Sequence, residues 1–333
     1  MTPLPAYSPI GESLICQAGS GVNLSILVPV YNEQDNLPEL LSRLLKVARS
    51  MNRSFEIILI DDGSSDDSVK IIKEAVKKNE EIKLIRFNRN YGQHSALFAG
   101  FAQAQGNTVV TLDADLQNPP EEIPKLIAKI DEGYEVAGGY RENRQDSIFR
   151  KIPSFFVAKM TSKFIKVNLK DYGCMLRAYK SDLVKEMVAG GEAAVYIPAL
   201  ANSLASSVAE VPVKHHAREK GKSKYSLLRL LHLNFDLMTG FSLLPIQLVG
   251  LSGVAIALVG LTFSAFLIGA RFILGSEWAV QGVFTLFGIL FFFVGLEILA
   301  IGLIGEYVGR IYQEVRRRPR YRVKEIVTAK DLA

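Results

Sequence analysis

Asp113 and Asp115 stand one residue apart after the apolar, β-branched run Thr108-Val109-Val110-Thr111-Leu112. Side chains two apart on a strand share a face, so the carboxylates converge if the strand continues and fan out if it turns at Ala114. Hard divalent cations want oxygen ligands, and Mg2+ takes one or two carboxylates plus the phosphate oxygens of a substrate. A solvated strand end, or an Asp capping the next helix, would carry the same residues. Two more polar clusters bear on the choice: Tyr31-Asn32-Glu33 after residues 24–30, and Asp61-Asp62-Gly63-Ser64-Ser65-Asp66 after residues 55–60. Each closes an apolar run. Three such clusters on one sheet edge are hard to explain as chance surface charge, and that edge is where open α/β sheets bind ligands.

The elements that must position these residues alternate. Strands are expected at 24–30, 55–60, 82–87, 108–112 and 134–139. Helices are expected at 35–51, after a Ser65 or Asp66 cap, at 93–105, and from the Asn118-Pro119-Pro120-Glu121-Glu122 start. This order predicts a mostly parallel sheet with helices on both faces, whose strand ends share one edge. A turn and strand at 171–179, helices at 182–188 and 197–204, and a strand at 208–213 complete the domain. No Gly-x-Gly-x-x-Gly follows the first strand and no Gly-Lys-Ser/Thr loop occurs, which argues against dinucleotide and P-loop sites.

The 333 residues carry a net charge of +5. The excess crowds a second, apolar part of the chain, which points to an anionic membrane surface; no nucleic-acid motif is present. Residues 241–270 and 278–305 each exceed the roughly 20 residues that span a bilayer, with Trp278 at a boundary. Lys and Arg on their outer flanks place a domain at 23–225, a basic tail at 310–333 and both termini in the cytoplasm, with a multi-pass anchor in the plasma or inner membrane. Residues 152–167 and 226–240 read as interfacial amphipathic helices, and 1–22 as a flexible tail without a signal-peptide pattern. Gly288, Gly295, Gly302 and Gly309 form a small-residue face for the hairpin itself or for a homo-oligomer. Glu297, costly in lipid, should face protein or water. Two cysteines, Cys16 and Cys174, imply no disulfide framework, and Cys174 reads as a buried small hydrophobe. His215 and His216 read as loop histidines, since no second pair joins them as metal ligands.

Val28-Pro29-Val30-Tyr31-Asn32-Glu33, Asp61-Asp62-Gly63-Ser64-Ser65-Asp66, Asn90-Tyr91-Gly92 and Asp113-Ala114-Asp115, in that order, resemble the family 2 glycosyltransferases of GT-A fold. The segments 171–179 and Arg218-Glu219-Lys220-Gly221-Lys222-Ser223-Lys224-Tyr225, followed by an apolar hairpin, resemble the polyisoprenyl-phosphate branch. That branch includes the GtrB-type bactoprenol glucosyltransferases and the dolichol-phosphate mannose synthases.

The resemblance implies a metal-dependent, inverting transfer of sugar from a nucleotide to a polyprenyl phosphate such as undecaprenyl phosphate. Pro29, Tyr31, Glu33, Asp61 and Asp62 would line the nucleoside pocket. Asp113 would contact the ribose or the metal. Asp115, joined by Gln117, would bind Mg2+ or Mn2+ bridging the donor diphosphate. Arg218, Lys222 and Ser223 would close over phosphates, and Arg141, Arg144 and Arg150 are candidates for the lipid phosphate. Asp171 would position the acceptor or act as a weak base. Overall resemblance favours UDP-glucose as donor; GDP-mannose, UDP-N-acetylglucosamine and a UDP-aminoarabinose are alternatives. A sensor or scaffold without turnover would share the fold, but Asp115 and the basic loop are both present. A processive polysaccharide synthase would need a Gln-x-x-Arg-Trp segment, whereas the only tryptophan is Trp278.

Overall fold

The computed structural model describes residues 21–141, 171, 174–190, 196–215, 244–274, 283–315 and 319–332. They fall into two compact units. One carries a sheet and includes the chain's last segment from Pro319; the other carries two long helices.

Among the described residues, seven strands and six α-helices build the sheet unit up to residue 213. They are β1 (Leu24–Val30), α1 (Leu37–Ser50), β2 (Phe55–Asp61), α2 (Ser68–Lys78), β3 (Ile82–Phe87), α3 (Gln93–Gln103), β4 (Thr108–Thr111), α4 (Ile123–Asp131), β5 (Val136–Arg141), β6 (Arg177–Lys180), α5 (Ser181–Ala189), α6 (Ile197–Leu204) and β7 (Val208–Val213). A 3-10 turn at Pro120–Glu122 leads into α4, so the expected helix starts three residues past its prolines. An eighth strand, β8 (Val323–Val327), and a short α9 (Ala329–Leu332) follow the long helices α7 (Leu244–Leu274) and α8 (Val283–Val315).

The strand order is β7-β5-β6-β4-β1-β2-β3-β8. The central four, β4-β1-β2-β3, are parallel, as alternation of strand and helix predicts. β6 is antiparallel to both neighbours, and β8 is antiparallel to β3. The fold therefore matches the expected α/β sheet with helices on both faces, but mixed at its flanks.

β1 is buried along its whole length because both faces are covered. Leu24, Ile26, Val28 and Val30 pack with Leu37, Leu40 and Leu44 of α1 and Ile72 and Val76 of α2. Leu27, Ile58, Ile60 and Ile85 face the opposite way, against Ala96, Leu97 and Phe101 of α3. Period-two alternation in the strands thus feeds two separate cores.

Pro29 sits in a central strand, where a missing N–H would break a ladder. Its place is tolerated because pairing of β1 with β4 ends at Leu27–Thr111. Leu27 still accepts the Leu112 N–H at 3.0 Å. By alternation Pro29 faces the same side, one step beyond the last rung. β1 and β4 therefore part at this point, and β1 is where strand order reverses, with β2 on one side and β4 on the other. A crevice at that reversal is the expected ligand position.

The opposite edge is closed by a buried carboxylate. Glu56, at the start of β2, accepts from the Ser25 hydroxyl at 2.6 Å, the Gln105 N–H at 2.7 Å and Lys83 Nζ at 2.6 Å.

Residues 310–333 are expected as a basic tail. Residues 310–315 extend α8, and Val323–Val327 pairs with β3. Of the described helices, α8 contains the one window, Phe292–Gly309, long and apolar enough to cross a membrane, where the sequence predicts two spans. α7 occupies most of the first expected span. Within α8, nothing lies within 4 Å of where a Cβ would stand at Gly295, Gly302 or Gly309. Residues 1–20 of the tail expected at 1–22, both segments expected as interfacial helices, Cys16 and His216 lie outside the described residues.

Glu56→Ala leaves buried donors without an acceptor, and a cost of about 3 kcal/mol is expected for breaking such a group. Thermal unfolding of the full chain checks this. Because Glu56 lies at the far end of β2 from Asp61, nucleotide affinity should be unchanged at temperatures where the variant is folded.

Candidate active site

At the ends of the four central strands the chain turns through left-handed backbone four times. Asn32 (φ 55°) follows β1, Gly63 (φ 74°) follows β2, Gly92 (φ 93°) precedes α3, and Leu116 (φ 59°) follows β4. Asn and Gly accept this region readily, but Leu does so at a cost, and strain of this kind gathers at functional sites. At Gly63 a Cβ would lie 2.5 Å from the Arg89 carbonyl carbon, so the loops after β2 and β3 touch through a glycine.

Side chains sew these loops together. The Asn32 N–H donates to Ser64 Oγ at 3.0 Å, and Asn32 Oδ1 accepts the Ser65 N–H at 2.8 Å. Glu33 N–H donates to Ser68 Oγ at 3.0 Å. The Asp66 carboxylate accepts from the Gln34 N–H at 3.2 Å and the Ser68 N–H at 3.0 Å. Asp66 thus serves the start of α2 as the sequence predicts, although Asp67 is the residue at the cap position. Asp62 accepts the N–H groups of Tyr91 at 2.6 Å and Gly92 at 2.8 Å.

Asp61 and Asp62 are both buried. Burial pushes the Asp61 carboxyl above the usual carboxylate range, opposed by hydrogen bonds from Ser64 and by the Arg86 charge. Burial likewise raises Asp62, opposed by the Tyr91 and Gly92 N–H groups. Pro29 is buried, Tyr31 is exposed, and Glu33 accepts from Asn36 Nδ2 at 2.6 Å. The residues expected to line a nucleoside pocket therefore occupy the ends of β1 and β2 and the loops that follow them.

β4 ends at Thr111, so Asp113 and Asp115 lie in the turn beyond it, half-buried on either side of the buried Ala114. Asp113 Oδ1 accepts from Gln93 Nε2 of α3, and Asp115 Oδ1 accepts the Gln117 N–H at 3.2 Å. Gln93 was not picked out in the sequence; its only signal was a polar residue opening an apolar helix. Among the described residues no group of three or more His, Cys, Asp or Glu side chains forms a metal cage. The donor set nevertheless fits Mg2+ or Mn2+, for which one or two carboxylates suffice when substrate phosphates complete the shell.

Asp171 is buried beside β5. Arg141 Nη2 donates to its Oδ1 at 2.8 Å and Arg141 Nε to its Oδ2. A lipid-phosphate ligand and a weak base, expected separately, are thus one bidentate ion pair. Under them lies Arg177, fully buried, whose Nε donates to the Cys174 carbonyl at 3.1 Å and Nη2 to the Asp171 carbonyl at 3.2 Å. A Cβ on Gly138 would meet Arg177 Nη1 at 2.9 Å, so the glycine makes room for the guanidinium. An arginine between Leu176 and Ala178 in an apolar strand was the available sign of this role. Cys174 is buried as expected, its thiol pushed up to about 11 by burial first and by Asp171 and Asp113 among nearby charges. His215, exposed at the end of β7, lies with Nδ1 3.4 Å from Asn118 Oδ1. Arg144, Arg150, Arg218, Lys222 and Ser223 lie outside the described residues.

A family description, glycosyl transferase family 2, matches residues 25–188. An undecaprenyl-phosphate 4-deoxy-4-formamido-L-arabinose transferase of Klebsiella pneumoniae is 48% identical over 93% of this chain and 95% of its own. The protein of the same description from Yersinia pestis is 50% identical over 92% and 94%. The solved S. aureus TarS fragment 1–349 with UDP-GlcNAc superposes weakly, with TM-score 0.47 and 19% identity over 66% of each chain. This chain belongs to glycosyl transferase family 2, in its polyprenyl-phosphate branch. It is an inverting glycosyltransferase.

A pH test follows from Asp61. Its folded carboxyl holds the proton to higher pH than the unfolded value of about 3.9, so the ionised group lowers stability above that range and costs nothing below it. Asp61→Asn should therefore unfold at a higher temperature than wild type at pH 7, the gap closing as pH falls toward 4. A variant less stable than wild type at pH 7 would count against the burial argument.

Proposed function

We propose that the protein transfers a 4-deoxy-4-formamido-L-arabinose unit from its UDP conjugate to undecaprenyl phosphate at the cytoplasmic face of the inner or plasma membrane. The observation that carries this is the 48–50% identity, over more than nine-tenths of both chains, to relatives described by that transfer. It favours the aminoarabinose alternative over the glucose donor preferred on overall resemblance.

Pro29, Tyr31, Glu33, Asp61 and Asp62 receive the nucleoside, and Asp113, Asp115 and Gln117 face the donor diphosphate. Mg2+ or Mn2+ held there would offset the charge that builds on the leaving diphosphate. A lipid phosphate oxygen attacks C1, the C1–O bond to UDP breaks, and the configuration at C1 inverts. A phosphate monoester loses its second proton at about pH 6, so the nucleophile is ionised at neutral pH and needs no strong base. Asp171 accordingly acts by fixing the direction of the Arg141 guanidinium, whose charge attracts the acceptor phosphate. Arg144, Arg150, Arg218, Lys222 and Ser223 supply further charge to donor or acceptor phosphates. α7 and α8 together form the membrane anchor, with the catalytic domain in the cytoplasm. The glycine face of α8 offers a contact between copies of the chain.

The test is transfer by the purified full chain to undecaprenyl phosphate, with Mg2+ and a panel of UDP-sugars. Product should form with UDP-4-deoxy-4-formamido-L-arabinose and far less with UDP-glucose; equal or faster transfer of glucose would overturn the donor assignment. Asp115→Asn should lower turnover by about 100-fold or more, the scale of losing electrostatic stabilisation at a reacting centre, without lowering the unfolding temperature. Near-normal turnover would remove Asp115 from the metal site.

A further inference from the structure

Arg177 opens β6, between β4 and β5, and its register partners are Thr111 and Gly138. It is 1% exposed, yet its guanidinium bonds backbone carbonyls. Nε donates to the Cys174 carbonyl at 3.1 Å and Nη2 to the Asp171 carbonyl at 3.2 Å. Nη1, also buried, meets no acceptor among the described residues. Burying a guanidinium is costly, and a strand between two others does not call for one. What the fork can reach explains its presence. Nε and Nη2 lie on one edge of a rigid plane, so two carbonyls three positions apart are held at a set separation. A lysine carries the same charge on a point-like ammonium and would not set that separation.

The two carbonyls bracket the turn that presents Asp171. That residue is gripped at both ends. Arg177 holds its carbonyl, while Arg141 meets its carboxylate through Nε, through Nη2 at 2.8 Å and through the backbone N–H at 3.4 Å. Arg141 closes β5, three residues past Gly138. One strand therefore supplies both the room for Arg177 and the guanidinium that Asp171 directs. A Cβ on Gly138 would stand 2.9 Å from Nη1 and 3.2 Å from Cζ, so even an alanine there displaces the fork.

We propose that Arg177 is a positioning residue for the lipid-phosphate acceptor. It fixes the backbone of Asp171, and Asp171 fixes the direction of Arg141. Arg177 touches no substrate and acts through these two. This rests on the reading of Arg141 as an acceptor-phosphate ligand. The loops that receive the nucleoside are held by other groups, Asn32, Ser64 and Asp62, so the effect belongs to the acceptor alone.

Steady-state transfer by the full chain in detergent, with Mg2+, UDP-4-deoxy-4-formamido-L-arabinose and varied undecaprenyl phosphate, tests this beside UDP calorimetry. Arg177→Lys keeps the charge and loses the fork. It should raise the acceptor KM about tenfold, the scale of one misplaced charge-assisted hydrogen bond, with UDP affinity unchanged. Gly138→Ala, which keeps the arginine, should raise the acceptor KM in the same way, and carries the test alone if Arg177→Lys does not fold. In an Arg141→Gln background Arg177→Lys should add nothing, because its effect passes through Arg141. Glu56→Ala, destabilised at the opposite edge of the sheet, should keep the wild-type acceptor KM. A wild-type acceptor KM in either Arg177→Lys or Gly138→Ala, a matching loss of UDP affinity, a further rise in the Arg141→Gln background, or an equal rise in Glu56→Ala would each overturn the proposal. Arg141→Gln separates the two readings. If it uses undecaprenyl phosphate as wild type does, the acceptor assignment fails; if it raises the acceptor KM while Arg177→Lys and Gly138→Ala do not, only the role of Arg177 fails.

Discussion

The Asp62 carboxylate gathers the loops after β2 and β3 into one surface by accepting two consecutive backbone N–H groups, Tyr91 and Gly92. Parallel strands end on a common edge, but nothing in a sheet dictates that their loops should meet. Here they must turn sharply away from the strand direction, which left-handed residues at Asn32, Gly63, Gly92 and Leu116 allow. They must also satisfy backbone donors that no ladder reaches, which Asn32, Ser64, Asp66, Ser68 and Asp62 do. Acidic side chains suit this work because each carboxylate accepts several N–H groups. The consequence is an edge dense in carboxylates whose first duty is to hold the loops. A carboxylate oxygen carries two lone pairs, so one that holds a backbone N–H can still accept from a ligand. Asp62 engages both oxygens with the loop after β3 and Asp61 one with the loop after β2, so the two adjacent residues hold different loops.

That difference explains why the acidic clusters were visible in the sequence while their division of labour was not. The strands β1 to β4 could be placed because they are short apolar runs bounded by turn residues. Their common edge followed from strand–helix alternation. Which oxygen of Asp61 is engaged depends on Ser64 and Arg86, and the pairing of β3 with β8 depends on residues about 240 positions apart. Local patterns carry no record of such pairing. Val323-Lys324-Glu325-Ile326-Val327 alternates as a strand should, but its setting after Arg316-Arg317-Arg318 made a basic tail the simpler reading. The same reason hid the Arg141–Asp171 pair: two charged residues 30 apart read as two independent sites. Arg177 was passed over because a single arginine in an apolar strand resembles an edge residue until burial shows that β6 lies between β4 and β5.

The Arg141–Asp171 pair also bears on the reaction. A hydroxyl acceptor needs a base to take its proton, and a carboxylate engaged on both oxygens by a guanidinium is poorly placed to do so. A phosphate acceptor removes that need, because its nucleophilic oxygen is already ionised near neutral pH. What it requires instead is a cation held in one orientation, since two like-charged reactants, lipid phosphate and nucleotide diphosphate, must approach at one carbon. A guanidinium held through Nε and Nη2 has its direction set by the fork geometry of the pair. Replacing that base with a buried ion pair is the change expected when the acceptor carries its own negative charge. The pair thus supports a phosphate acceptor on chemical grounds that do not depend on the identity of the sugar.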